Sequence, residues 1–170
     1  MKIFQYAYTS PDIEATARAW TETLGVGPWT VRGPFTAPDA TYQGEPFRAS
    51  LTVARTFDGP VMIELIQQHD DHPSIFRDAV RSRGHGFHHV AITSPPDQFD
   101  ERAAGLVAVG GPATFEDVLP NGARVAFFPG APGSAGLIEL VELTPAQAAA
   151  LEDLRAMCAG WDGTDPWRTA

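Results

Sequence analysis

Two carboxylates stand where carboxylates are costly. Glu64 lies in Val61-Met62-Ile63-Glu64-Leu65-Ile66 and Glu139 in Gly136-Leu137-Ile138-Glu139-Leu140-Val141, each an apolar strand-like run with one acid in its middle. A buried charge without a partner is strongly disfavoured, so such acids persist by ion pairing or by holding a metal. Two more residues join them through an internal repeat. Phe4-Gln5-Tyr6-Ala7-Tyr8-Thr9-Ser10-Pro11 aligns without gaps over His88-His89-Val90-Ala91-Ile92-Thr93-Ser94-Pro95, which makes Gln5 and His89 equivalent. The offset is 84 for this pair (89 minus 5) and 75 for the acids (139 minus 64), so the two halves share an order of elements and differ in loop length.

A pseudo-twofold axis relating the halves would bring Gln5, Glu64, His89 and Glu139 together as one nitrogen and three oxygen donors. That set suits zinc, nickel, cobalt, manganese or iron(II), with a position left for water or substrate. Such an ion polarises a carbonyl and stabilises an enolate or enediolate while a neighbouring carboxylate moves the proton. Each residue also has a plainer reading. A lone strand histidine is usually a hydrogen-bonded core residue, and Gln5 is the weakest of the four because an amide oxygen is a neutral, poor ligand. His88 and His89 are adjacent on a strand, where side chains alternate between faces, so one of them is expected to enter the site and the alignment selects His89. His85, His69 and His72 read as solvated loop residues.

The elements that must carry these residues follow from pattern. In each half a strand runs into Ser-Pro and then a helix. Ser10 is the expected N-cap with Pro11 in the first turn, and Ile13, Ala17, Trp20 and Leu24 form one apolar face closed by Gly25. Asp97, Phe99, Ala103, Leu106 and Gly110-Gly111 repeat this more weakly. Segments 48–57 and 123–128 read as middle strands. The unit is a strand, a helix and three strands, and two copies give eight strands. The halves are expected at 1–68 and 87–143, joined by a linker at 69–86 with a short helix from Ser74 to Ser82. Residues 144–170 form a tail whose helix is capped by Thr144-Pro145 and stopped by Gly160. Trp161 to Arg168 is expected to be irregular, covering a pocket or docking on a partner.

Composition narrows the function classes. The 170 residues carry 12 basic and 21 acidic side chains, a net charge of -9 that repels nucleic acid and anionic membranes. No apolar run approaches the roughly 20 residues of a membrane span, and Met1 to Gln5 carries no export signal. Cys158 stands alone, so an internal disulfide is impossible and a reducing cytoplasm fits; it reads as a small packing residue.

The Ser-Pro-Asp opening with Leu24-Gly25-Val26-Gly27-Pro28-Trp29, and the Ile63-Glu64-Leu65-Ile66, His88-His89-Val90-Ala91-Ile92 and Ile138-Glu139-Leu140-Val141 strands, resemble the vicinal-oxygen-chelate superfamily over residues 3 to 143. The Gln, Glu, His, Glu order is similar to one glyoxalase I ligand set. The resemblance implies an α+β fold of two tandem βαβββ modules forming a curved eight-stranded mixed sheet around a cleft, a homodimer, and a divalent metal on Gln5, Glu64, His89 and Glu139. It also implies lyase or isomerase chemistry of the glyoxalase I and methylmalonyl-CoA epimerase kind, with Glu139 as first choice for base and Glu64 as second. The substrate expected is a small carbonyl compound of apolar or aromatic character. A metal-free antibiotic-binding module of the same fold is the alternative. An iron(II) dioxygenase ranks third, because it wants two histidines and a carboxylate.

Overall fold

The computed structural model describes residues 2–169. Its elements in chain order are β1 (Ile3–Thr9), α1 (Ile13–Leu24), β2 (Trp29–Phe35), β3 (Thr41–Tyr42), β4 (Glu45–Pro46), β5 (Leu51–Asp58), β6 (Val61–Gln68), α2 (Ile75–Arg83) and β7 (Gly86–Ser94). A 3₁₀ turn (Pro96–Gln98) leads to α3 (Phe99–Gly110), β8 (Phe115–Val118), β9 (Arg124–Pro129), β10 (Leu137–Glu142), α4 (Pro145–Ala159) and β11 (Trp167–Thr169). One mixed sheet contains every strand, in the order β11-β2-β5-β6-β1-β7-β10-β9-β8-β3-β4. Its middle eight strands are the two repeats placed edge to edge, with β1 and β7 antiparallel at the join and each flanked by a parallel partner, β6 and β10.

The two-residue period of these strands sorts the side chains. On one face lie Ala7, Val53, Ile66, Ala91, Val125, Phe127 and Val141, the walls of a concave core. On the other, Leu65, Ala54, Val31 and Trp29 pack under Ile13 and Ala17 of α1, while Leu140, Ala126, Phe128 and Ile92 pack with Phe99 of α3. Two apolar cores thus back the sheet and leave the concave face for other work.

Three strands extend the expected eight. The hairpin β3–β4 belongs in sequence to the first half, yet β3 pairs with β8 of the second, Tyr42 against Phe115. Residues 36–40 must therefore cross between the two edges of the curved sheet. The hairpin is anchored by Tyr42, whose hydroxyl donates to Asp78 of α2, and by Phe47 set edge-on to Phe115 at 5.1 Å. At the opposite edge β11 pairs in parallel with β2, Trp167 against Trp29. The tail from Trp161 to Arg168 therefore does not line the central cavity. Trp161 packs against Gly27, where an added Cβ would be 2.7 Å from its ring, and its Nε1 donates to the Thr164 carbonyl at 2.6 Å.

The caps shift in one place. Asp12, not Ser10, caps α1, its carboxylate accepting from the Ala15 amide at 2.9 Å. Ser10 turns its hydroxyl onto the Asp12 backbone instead, accepting at 3.1 Å and donating at 2.8 Å. Ser74 and Thr144 cap α2 and α4 as their positions suggest. Cys158 packs with Sγ 3.3 Å from the amide of Phe57.

The turn before α2 gives a test of acid stability. Asp70 accepts from the amides of Ser50 at 2.7 Å and His72 at 3.0 Å and from the Gln68 side chain at 3.1 Å. Partial burial pushes this carboxyl up, but those bonds outweigh it and hold it at about 2. A carboxyl depressed on folding stabilises above its unfolded value near 4, and that stability is lost as pH falls toward 2. Asp70→Asn is expected to cost on the order of 2 kcal/mol at pH 6 and much less at pH 2.5, by urea denaturation at both values. An equal cost at both would show that Asp70 acts without its charge.

Candidate active site

The four residues lie on the concave face in two parallel rows. Register places Ala7 beside Glu64 on one side and His89 on the other, and places Ala91 beside Gln5 and Glu139. The rows Glu64–Ala7–His89 and Gln5–Ala91–Glu139 exchange under the pseudo-twofold axis. Both central alanines are fully buried, and their single methyl groups leave space for the longer side chains to converge above them.

Converge they do. Gln5 Nε2 lies 3.0 Å from His89 Nε2 and donates to Glu64 Oε2 at 3.1 Å. His89 Nε2 is 3.1 Å from Glu139 Oε2 and 3.8 Å from Glu64 Oε2. Phe127 stands edge-on to the His89 ring at 4.9 Å. Glu139 Oε2 is buried and has no hydrogen-bond partner, one of few such side-chain atoms among the described residues. Acceptors crowded around an imidazole nitrogen, one of them unpartnered, make a donor set that fits a divalent cation. The set is not closed into a ready-made centre: among the described residues no three His, Cys, Asp or Glu side chains already hold metal-site geometry. Glu64 turns its Oε1 away to Arg55 Nε at 2.6 Å, and Gln5 presents its amide nitrogen where a ligand would present oxygen.

Arg55 was legible in the sequence only as one of several arginines. It sits directly across from Glu64 in the β5–β6 register, pairs with it through Nε and lines the cavity. The cavity is about 410 Å³ and opens beside Arg55, Glu64 and Glu139, near the lower end of the roughly 300–1,000 Å³ of small-molecule sites. Phe35, Phe76, Phe115 and Phe127 give it an aromatic lining, joined by Thr36, Ala37, Pro38 and Asp39 of the connection after β2. Arg32 stacks over Phe35 at 4.4 Å there. Asp117 also lines the cavity, its carboxyl pushed up by burial and by the neighbouring Asp39.

His88 departs from the alternation expected of a strand. The β1–β7 pairing runs Ala7 to His89 and then Tyr8 to Phe87, so His88 is an unpaired bulge residue. The bulge brings both imidazoles to the same side, with Nδ1 2.8 Å from Nδ1. Gly136 makes room for it: a Cβ there would be 2.6 Å from the His88 carbonyl oxygen, and its φ of +72° suits glycine. Phe76 stacks on the His88 ring at 4.9 Å, and burial, then the adjacent His89, push its pKa down to about 3. His85 is exposed and does not line the central cavity. His69 bonds Thr52 at 2.7 Å, and His72 is tied to Asp70.

Comparison with known proteins identifies the family and the fold. The family model described as glyoxalase/bleomycin resistance protein/dioxygenase superfamily matches residues 4–127. No curated protein sequence matches the chain. Among solved structures, a hypothetical protein, BH1468, from Bacillus halodurans C-125 is 22% identical with a TM-score of 0.59, over 84% of this chain and 94% of that one. Methylmalonyl-CoA epimerase from Mycobacterium tuberculosis is 17% identical with a TM-score of 0.57, over 86% and 91%. A Streptomyces coelicolor methylmalonyl-CoA epimerase variant in complex with 2-nitronate-propionyl-CoA is 17% identical with a TM-score of 0.51, over 84% and 96%. At these identities the structures speak to the fold.

Proposed function

This chain belongs to the glyoxalase/bleomycin resistance protein/dioxygenase superfamily, and we propose that within it the protein is a metal-dependent isomerase or lyase. It would move a proton at the carbon next to the carbonyl of a small substrate, through an enolate. The observation that carries this reading is the buried, unpartnered Glu139 Oε2 facing His89 Nε2 at 3.1 Å.

Gln5, Glu64, His89 and Glu139 would hold a divalent ion, zinc, nickel, cobalt, manganese or iron, which when bound supplies a Lewis acid for the carbonyl oxygen. All four come from one chain, so a homodimer partner is not needed to assemble them. Glu139 is the better base because nothing else claims its Oε2. Glu64 is held by Arg55 and Gln5, which makes it an anchor. The free amino groups of Arg55 can take a second substrate oxygen. The aromatic walls suit an apolar or aromatic body. The solved structures of similar fold include methylmalonyl-CoA epimerases, whereas this cavity suits a compact carbonyl compound.

One observation favours a second reading, a metal-free small-molecule binding protein: Glu64 is already neutralised by Arg55. A ring-cleaving dioxygenase is disfavoured, because His88 has both ring nitrogens engaged, by His89 and by the Ile75 carbonyl, and offers no second histidine ligand.

The experiment is elemental mass spectrometry of protein purified without chelator, for the parent, His89→Ala and Glu139→Ala. The expected result is about one divalent ion per chain, lost in both variants. A metal-free parent that takes up no added ion would reject the isomerase reading in favour of the binding protein.

A further inference from the structure

The bulge at His88 has no part in the scheme above, yet its contacts form a chain with a fixed direction. His88 Nε2 lies 3.3 Å from the Ile75 carbonyl oxygen, which can only accept, so that nitrogen carries the proton. Its Nδ1 is then a lone pair, and 2.8 Å away His89 Nδ1 must donate to it. The other end of the cluster gives the same answer independently. Glu64 Oε2 can only accept, so the Gln5 amide turns its nitrogen toward it at 3.1 Å. That nitrogen is also 3.0 Å from His89 Nε2, which must therefore be an acceptor. Glu139 Oε2, 3.1 Å from His89 Nε2, receives no hydrogen bond from it, so both ends place the hydrogen on His89 Nδ1.

We infer that His88 is a positioning residue that holds His89 in its Nδ1–H tautomer, so that the Nε2 lone pair faces Glu64 and Glu139 before any cation arrives. The relay runs Ile75 carbonyl, His88, His89, site. A backbone carbonyl or carboxylate commonly plays this part for a ligand histidine; here a second imidazole transmits it, and only a bulge can put two consecutive strand residues on the same side. Phe76 on one ring and Phe127 against the other keep both imidazoles from turning. The tautomer stands on hydrogen-bond geometry alone, while its effect on a metal rests on the function proposed above.

The test is a long-range ¹⁵N–¹H correlation spectrum of uniformly ¹⁵N-labelled, chelator-treated parent protein at pH 7, with His88→Gln and His89→Gln used for assignment. The expected result is His89 protonated at Nδ1 only and His88 at Nε2 only. A His89 protonated at Nε2, alone or together with Nδ1, would overturn the inference. Zinc titration of His88→Gln, whose side-chain oxygen can still accept, and of His88→Phe, whose ring cannot, supplies the second readout. His88→Phe is expected to weaken zinc binding by roughly 10–100-fold and His88→Gln by much less, with both variants folded by circular dichroism. Equal affinities in the two folded variants would overturn the positioning role. The expected tautomer in a parent that binds no zinc would support the relay and reject the metal reading, so the two failures are distinguishable.

Discussion

Glutamine in place of Glu139 is expected to slow proton transfer by roughly 10²–10⁴-fold, the range for loss of a positioned acid or base. The side chain keeps its size, and its amide oxygen can still face His89, so the cavity and the surrounding hydrogen bonds are expected to survive. The measurement is exchange of the hydrogen next to the carbonyl in D₂O, followed by proton NMR, with metal-loaded protein and small aryl and alkyl carbonyl compounds. Glu64→Gln is expected to act differently: it breaks the ion pair to Arg55 and loosens the anchor, so metal content falls along with rate. Exchange retained in Glu139→Gln and lost in Glu64→Gln at full metal content would assign the base to Glu64.

Trp29→Ala is expected to cost about 3–5 kcal/mol, the range for large-to-small changes at a buried tryptophan. Trp29 is almost fully buried among Ile13, Ala17, Val31 and Leu65. Its ring centroid is 6.2 Å from that of Trp20, and its indole N–H donates to Thr21 Oγ1 at 3.1 Å. Its backbone N–H also bonds the Pro166 carbonyl at 2.7 Å, next to the β11 pairing. Trp167 of β11 packs against the same core, so the variant is expected to loosen the tail as well as to lower the urea midpoint, which protection of the β11 amides from hydrogen exchange would report. A loss below about 1 kcal/mol would mean that the cavity collapses without cost.

What could be read from the sequence was what repeats or alternates. The matched strands, the two helices behind them, the short helix after Ser74 and the Thr144-Pro145 helix all follow from period and capping chemistry. The convergence of Gln5, Glu64, His89 and Glu139 followed from equivalence of the halves. The features that escaped are those where period fails. Alternation sends His88 away from the site, and a one-residue bulge brings it back. Thr41-Tyr42 and Glu45-Pro46 are too short for any periodicity, so the hairpin was invisible. Trp167-Arg168-Thr169 looked irregular because its strand exists only by pairing with β2. Arg55 resembled every other strand arginine until register set it opposite Glu64. Ser10 lost the cap to Asp12 because two good capping residues stood within three positions, and the hydroxyl was better used bracing the turn.

The pairing of β3 with β8 has a consequence for synthesis. Tyr42 and its partner Phe115 are 73 positions apart (115 minus 42), so a nascent chain that has completed its first half still holds a hairpin with nothing to pair with. The edge of that hairpin is a template for the wrong strand until the ribosome has delivered β8. The first half is thus expected not to fold as a separately expressed fragment, and cutting the gene at the linker would separate the hairpin from the strand that receives it.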